Sequence, residues 1–147
     1  IALCWILHLT GDLHQPLHTV ALFSQTLFPS GDRGGNSIKV RLGKRTSNLH
    51  AIWDSGLINI NEEHLSQYVN LLIQRVSRPD QLLWTQSKIL DWANESRRYA
   101  LDIAYNKKIT SSGTLTKFYI QSARDIIELR LLQAGIRLAH LLNTKLS

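Results

Sequence analysis

Two segments of the chain repeat one pattern, a histidine followed four residues later by an aspartate: His8 with Asp12, and His50 with Asp54. On a helix, residues four apart share a face with Cβ atoms about 5–6 Å apart, close enough for an imidazole nitrogen and a carboxylate oxygen to hold one metal ion. Random spacing of the histidines and aspartates would give roughly 0.3 such pairs, so two are unusual, although a helix-surface or capping role stays open for each.

Between the pairs lies His14-Gln15-Pro16-Leu17-His18. Pro16 lacks an N–H and its ring strikes the preceding turn, so the chain must turn there. Were the segment helical, His18 would lie some 240° around from Asp12, off the face shared by His8 and Asp12. His18 is therefore freer to join His50 and Asp54. Two histidines and one carboxylate are the composition of catalytic zinc sites that keep a position open for water. For His14 a place in the core, or behind the ligands, is the better reading.

Other polar residues point less sharply. Asp32, Arg33 and Asn36 either brace the glycine-rich loop or contact a substrate, and bracing is favoured because paired glycines first mark unusual backbone angles. Lys39, Arg41, Lys44 and Arg45 concentrate positive charge that would steer a phosphate chain or simply face solvent. The tryptophans read as packing residues, and His64 and His140 sit in helical patterns without partners. Asn94-Glu95-Ser96 has the form of a glycosylation acceptor but falls inside a predicted helix.

The stretch Gly11-Asp12-Leu13-His14-Gln15-Pro16-Leu17-His18, followed by Gly31-Asp32-Arg33-Gly34-Gly35-Asn36 and Asn48-Leu49-His50-Ala51-Ile52-Trp53-Asp54, resembles the zinc-dependent single-strand-specific nucleases of fungi, plants and bacteria. The similarity continues through Trp92 to Ser96 and Ala134 to Asn143, in the family's order. The resemblance implies a mainly helical fold with three zinc ions, related in fold to zinc phospholipase C. It implies cleavage of single-stranded DNA and RNA to 5′-phosphorylated products, with 3′-nucleotidase activity on 3′-nucleotides. It makes His8 a ligand of one zinc, Asp12 a catalytic carboxylate bridging two, and His18, His50 and Asp54 the ligands of the third. That last set is the one the spacing also groups. Secretion, or a periplasmic location, is implied by the resemblance alone. The family's other ligands and its aromatic base-stacking residue fall in a segment that would precede Ile1. The expectation is thus one domain, residues 1–147, forming the carboxy-terminal two-thirds of a nuclease and completing one zinc site. The alternatives are a zinc phospholipase C-type lipid phosphodiesterase, or a zinc-binding fragment without activity.

The elements that must position these residues are mostly helical. Ile1 to Leu13 shows no strict alternation and reads as the buried end of a helix. Leu17 to Asn36 is irregular and glycine-rich. Ser37 to Leu42 alternates Ile38, Val40 and Leu42 against Lys39 and Arg41, a half-exposed strand, and Gly43 with Lys44 to Ser47 turns the chain. Asn48 suits the cap of a helix opening at Leu49. Asn61 would cap a helix through about Val76, ended by Ser77, Arg78 and Pro79. Another helix is expected from about Ser87 to Tyr105, and a last one along Ile120, Ala123, Ile127, Ala134, Leu138, Leu141 and Leu142, with Gly113 and its serine and threonine neighbours between them. The fold class is all-α with one small β-hairpin.

Composition sets outer bounds. With 44% hydrophobic and 19% charged residues a packed fold is expected. No apolar run reaches the roughly 18 residues of a membrane span. The single Cys4 allows no internal disulfide and assigns no compartment. A net charge of +6 favours polyanionic partners without identifying one.

Overall fold

A computed structural model describes residues 1–58, 60–105 and 113–145. Among them are six α-helices and one two-stranded antiparallel sheet, the expected all-α class with one small β-hairpin. Helix α1 (Ala2–His14) stops at Gln15, whose extended backbone (φ −85°, ψ 117°) is what a following proline demands. Pro16 then opens a 3₁₀ turn, Pro16–Thr19, with the Gln15 side chain accepting the Leu17 N–H. Strands β1 (Lys39–Leu42) and β2 (Arg45–Asn48) pair in the register Lys39↔Asn48 to Leu42↔Arg45. The predicted polar turn therefore shrinks to Gly43-Lys44, with Gly43 at φ +62°. Arg45 to Ser47 are polar because this two-stranded sheet leaves them largely at the surface, so they lack the apolar alternation that marks a buried strand.

Asn48 caps α2 (Leu49–Ala51) by accepting the Ala51 N–H at 2.7 Å, and α2 runs on as a π-helical turn, Ile52–Gly56. Helix α3 (Glu62–Ile73) follows Asn61, whose side chain makes no capping bond. Ser77 to Pro79 do end that segment, but they also begin α4 (Arg78–Gln86), which the helical pattern did not anticipate. Ser77 Oγ accepts the Asp80 N–H and Pro79 lies in the first turn, where no N–H is needed, so one cluster both stops and starts a helix. Helix α5 (Ile89–Tyr99) continues as a second π turn, Ala100–Ala104, and α6 (Lys117–Lys145) is the longest element. The predicted serine and threonine neighbours before Gly113 lie outside the described residues.

Two expectations about burial need correction. Ala2 to Leu9 are helical, but they and Ile1 are exposed throughout, Trp5 at 58%. Their apolar side chains surround the helix axis, whereas burial begins only at Thr10, where α1 meets the rest of the fold. In α6 the buried stripe is not the apolar one read from the sequence: Tyr119 and Ala123 are buried, but beyond them Arg130, Gln133 and Arg137 are, while Ala134 and Leu138 are only half-buried. An acidic partner from α5, Glu95, makes that polar stripe possible. No described helix is long and apolar enough to cross a membrane.

The core explains how the site residues are held. Leu17, Leu49 and Trp53 are nearly fully buried, with Ile38, Val40, Ile52, Tyr119 and Ala123 around them. Each of the first three is followed directly in the chain by a polar residue of the site: His18, His50 and Asp54. A rigid hydrophobic anchor therefore precedes each polar group, and Trp53 is further tied by its Nε1–H to Tyr119 Oη at 2.8 Å.

Candidate metal centre

The two four-residue pairs meet. His8 Nε2 lies 3.2 Å from Asp12 Oδ2, and Asp12 Oδ1 lies 3.2 Å from His18 Nδ1. His18 Nε2 is 3.5 Å from Asp54 Oδ1, and His50 Nε2 is 3.3 Å from Asp54 Oδ2. The result is one chain of alternating imidazoles and carboxylates, His8, Asp12, His18, Asp54, His50, in which the His18 and His50 rings stack at 4.9 Å. His18, His50 and Asp54 each offer a ligand atom within 4.8 Å of the others, the one such convergence among the described residues. These three could hold a metal ion. His8 and Asp12 adjoin the group without joining it, and His8 is well exposed. His64 and His140 are exposed on other helices and take no part.

Residues behind the group fix its orientation. His50 Nδ1 donates to the Gly34 carbonyl at 2.7 Å, which turns Nε2 toward Asp54. Gly34 is itself pinned: a side chain there would place Cβ 2.4 Å from the Leu17 carbonyl, at a φ of +62°. The Asp32 carboxylate, fully buried, accepts the N–H groups of Leu22, Gly34 and Gly35 and the Tyr105 hydroxyl. Asp32 thus braces the glycine loop, the favoured of its two readings. Burial and the Asp32 carboxylate push the Tyr105 hydroxyl above its ordinary range, keeping it a donor. Gln15 Nε2 donates to Asp54 Oδ1 at 2.7 Å while its Oε1 accepts from Leu17. Neither Gln15 nor Tyr105 was singled out from the sequence. An amide directly before the proline turn was the available signal for Gln15; nothing local pointed to Tyr105, 73 residues from its partner.

A buried ionic cluster sits beneath. Glu95 on α5 bridges Arg130 and Arg137 of α6, with Arg137 contacting both carboxylate oxygens at 2.7 and 2.8 Å. Arg130 also donates to the His14 carbonyl at the end of α1, and Ser96 Oγ donates to that of Leu13, so orphan carbonyls of the helix that carries Asp12 are satisfied. Burial alone would raise the Glu95 carboxyl, but hydrogen bonds from Arg137 and Arg130 outweigh it and hold it below the ordinary range. Sequence patterning missed this cluster because its members are dispersed over α5 and α6.

His14 is buried with both ring nitrogens engaged, Nδ1 with the Thr10 carbonyl at 2.7 Å and Nε2 with Arg137 Nη1 at 2.9 Å. Burial, reinforced by the charges of Arg130 and Arg137, lowers it from 6.5 to about 4. The fold holds it neutral while the unfolded chain protonates it below pH 6.5. Its contribution is therefore complete above that pH and is lost as pH falls toward 4. At about 1.36 kcal/mol per unit, the metal-free protein should lose about 2–3 kcal/mol of stability between pH 6.5 and 4.5 through this group. Chemical denaturation of wild type and His14→Gln across that range measures it; equal pH slopes in the two proteins would contradict it.

Comparison with known proteins identifies the family. The family model described as S1/P1 Nuclease matches residues 1–147. Similar curated proteins include Endonuclease 4 of Arabidopsis thaliana, 36% identical over 97% of this chain and 49% of its own length. Nuclease S1 of Aspergillus oryzae is 29% identical over 94% of the chain and 52% of its own. Nuclease P1 of Penicillium citrinum is 26% identical over 97% and 56%. The chain spans about half the length of these relatives.

Proposed function

Because the chain belongs to the S1/P1 nuclease family, whose named members are nucleases, we propose that it serves a zinc-dependent phosphodiesterase acting on single-stranded DNA and RNA, giving 5′-phosphorylated products and removing 3′-phosphate from nucleotides. The observation that carries this reading is the convergence of His18, His50 and Asp54. Two neutral imidazoles and one carboxylate suit zinc and leave a coordination position open.

In this reading His18, His50 and Asp54 hold one zinc. His8 and Asp12 would supply ligands to further zinc beside it. Zinc, when bound, polarises phosphoryl oxygens and acidifies water near neutral pH. The chain's own residues then orient and restrain. Gly34, through its carbonyl, keeps the His50 proton on Nδ1 and Nε2 free. Gln15 holds one Asp54 oxygen, so the carboxylate cannot swing away from His18 and His50. The 147 residues act as one domain, and the same family reading carries export from the cell. Exposed Lys39, Arg41, Lys44 and Arg45 on the hairpin favour approach of a polyanion.

The expected result is cleavage of single-stranded oligonucleotides at least about tenfold faster than duplexes of the same sequence, with binding that weakens steadily as salt rises. Release of phosphocholine from lecithin with oligonucleotides left intact would place the protein with the lipid phosphodiesterases instead.

A further inference from the structure

The segment between His18 and Gly34 leaves the core and returns to it at the metal-binding group. Its stem is fixed by Asp32: Leu22 N–H donates to the Asp32 carboxylate, and Asp32 N–H donates to the Leu22 carbonyl at 2.9 Å. Above the stem, Ser24 and Phe28 exchange both backbone hydrogen bonds, and Gly31 N–H donates to the Phe28 carbonyl. This well-bonded loop holds Phe23 out at 68% exposure. The tip of its ring rests on Gly31, where even a Cβ would approach to 3.0 Å, so the absence of a side chain at Gly31 is what seats the ring. Two residues on, Arg33 is exposed with φ +59°, the one non-glycine residue with positive φ among those described. Such a conformation for a long side chain is mildly unfavourable and recurs where function requires it.

Both residues are tied to the metal-binding group through the chain. Phe23 follows His18 by five positions, at most about 18 Å of chain. Arg33 directly precedes Gly34, whose carbonyl holds His50. An exposed aromatic ring and an exposed guanidinium carried on one loop offer the two contacts that grip single strands without reading sequence: stacking on a base and neutralisation of a phosphate.

We propose that Phe23 and Arg33 form an accessory nucleotide subsite at the rim of the His18, His50 and Asp54 group, with Phe23 stacking on a base of a single-stranded polynucleotide and Arg33 contacting an adjacent phosphate. This rests on the proposed nuclease function. The subsite engages a nucleotide beyond the one being cleaved, so it affects oligonucleotides and not mononucleotides.

The test is fluorescence anisotropy with a labelled eight-residue oligothymidylate, alongside a 3′-mononucleotide, on the zinc-loaded protein. Phe23→Ala should weaken oligonucleotide binding about 5- to 100-fold, the range of one lost base stack, and Phe23→Trp should retain it. Arg33→Gly suits the observed φ, so the fold is kept; it should weaken binding and reduce the salt dependence by about one phosphate contact. Zinc content and mononucleotide affinity should not change in any variant. Unchanged oligonucleotide affinity in Phe23→Ala and Arg33→Gly overturns the subsite while leaving the nuclease function intact. A Phe23→Ala effect confined to self-association in sedimentation overturns the subsite equally. Failure of the wild type to bind any single strand overturns both.

Discussion

In the active, fully zinc-loaded enzyme, Asp12→Asn is expected to lower phosphodiester hydrolysis by about 10³-fold or more, while His14→Gln, two residues away, lowers it far less. The Asp12 carboxylate faces His8 through one oxygen and His18 through the other, at 3.2 Å each. In the proposed function it is a zinc ligand. The amide keeps the shape but removes the charge and turns one acceptor into a donor. Loss of several kcal/mol of charge stabilisation at about 1.36 kcal/mol per decade gives the stated magnitude. His14 has both nitrogens committed to Thr10 and Arg137, so its loss acts on stability first. Steady-state rates with zinc analysis of each variant separate the cases; comparable losses would overturn the division of roles.

The largest effect on stability is expected from Glu95→Gln. Arg137 is fully buried and Arg130 nearly so, and Glu95 is the carboxylate that both share. Removing one partner of a buried ion pair costs about 3–5 kcal/mol because the charge left behind stays desolvated. At roughly 2–4 °C per kcal/mol for a domain of this size, Tm should fall by roughly 6–20 °C. Because Glu95 is held below its ordinary range, its contribution is present at neutral pH and is lost only in acid, as pH falls through its lowered value. At pH 7 the variant should therefore show its full deficit against wild type. A Tm within about 2 °C of wild type by calorimetry would contradict the role of the cluster.

Much of the site was legible in the sequence because its spacing is local. Four-residue separation on a helix guarantees proximity for His8 with Asp12 and His50 with Asp54, and the winding of Ile52–Gly56 into a π turn does not destroy the second pair. Pro16 announced the turn that frees His18. What was not legible depends on distant contacts. The Asp32–Tyr105 bond and the Glu95 bridge between Arg130 and Arg137 join residues far apart in the chain, and a buried arginine looks like a surface residue until its partner is known. The exposed amino-terminal helix shows the same limit from the other side, since apolar composition predicts a tendency to be buried and not what supplies the cover. Helix α4 was missed because Ser77 to Pro79 carry stop and start signals together.

Zinc titration of the 147-residue chain tests the central claim most directly. Equilibrium binding and elemental analysis should find about one firmly held zinc, because His18, His50 and Asp54 form a three-ligand set. His18→Ala, His50→Ala and Asp54→Ala should each remove that ion, whereas His64→Ala, on a different helix, should keep it. Firm zinc binding that survives all three substitutions, or is lost equally with His64→Ala, would contradict the assignment.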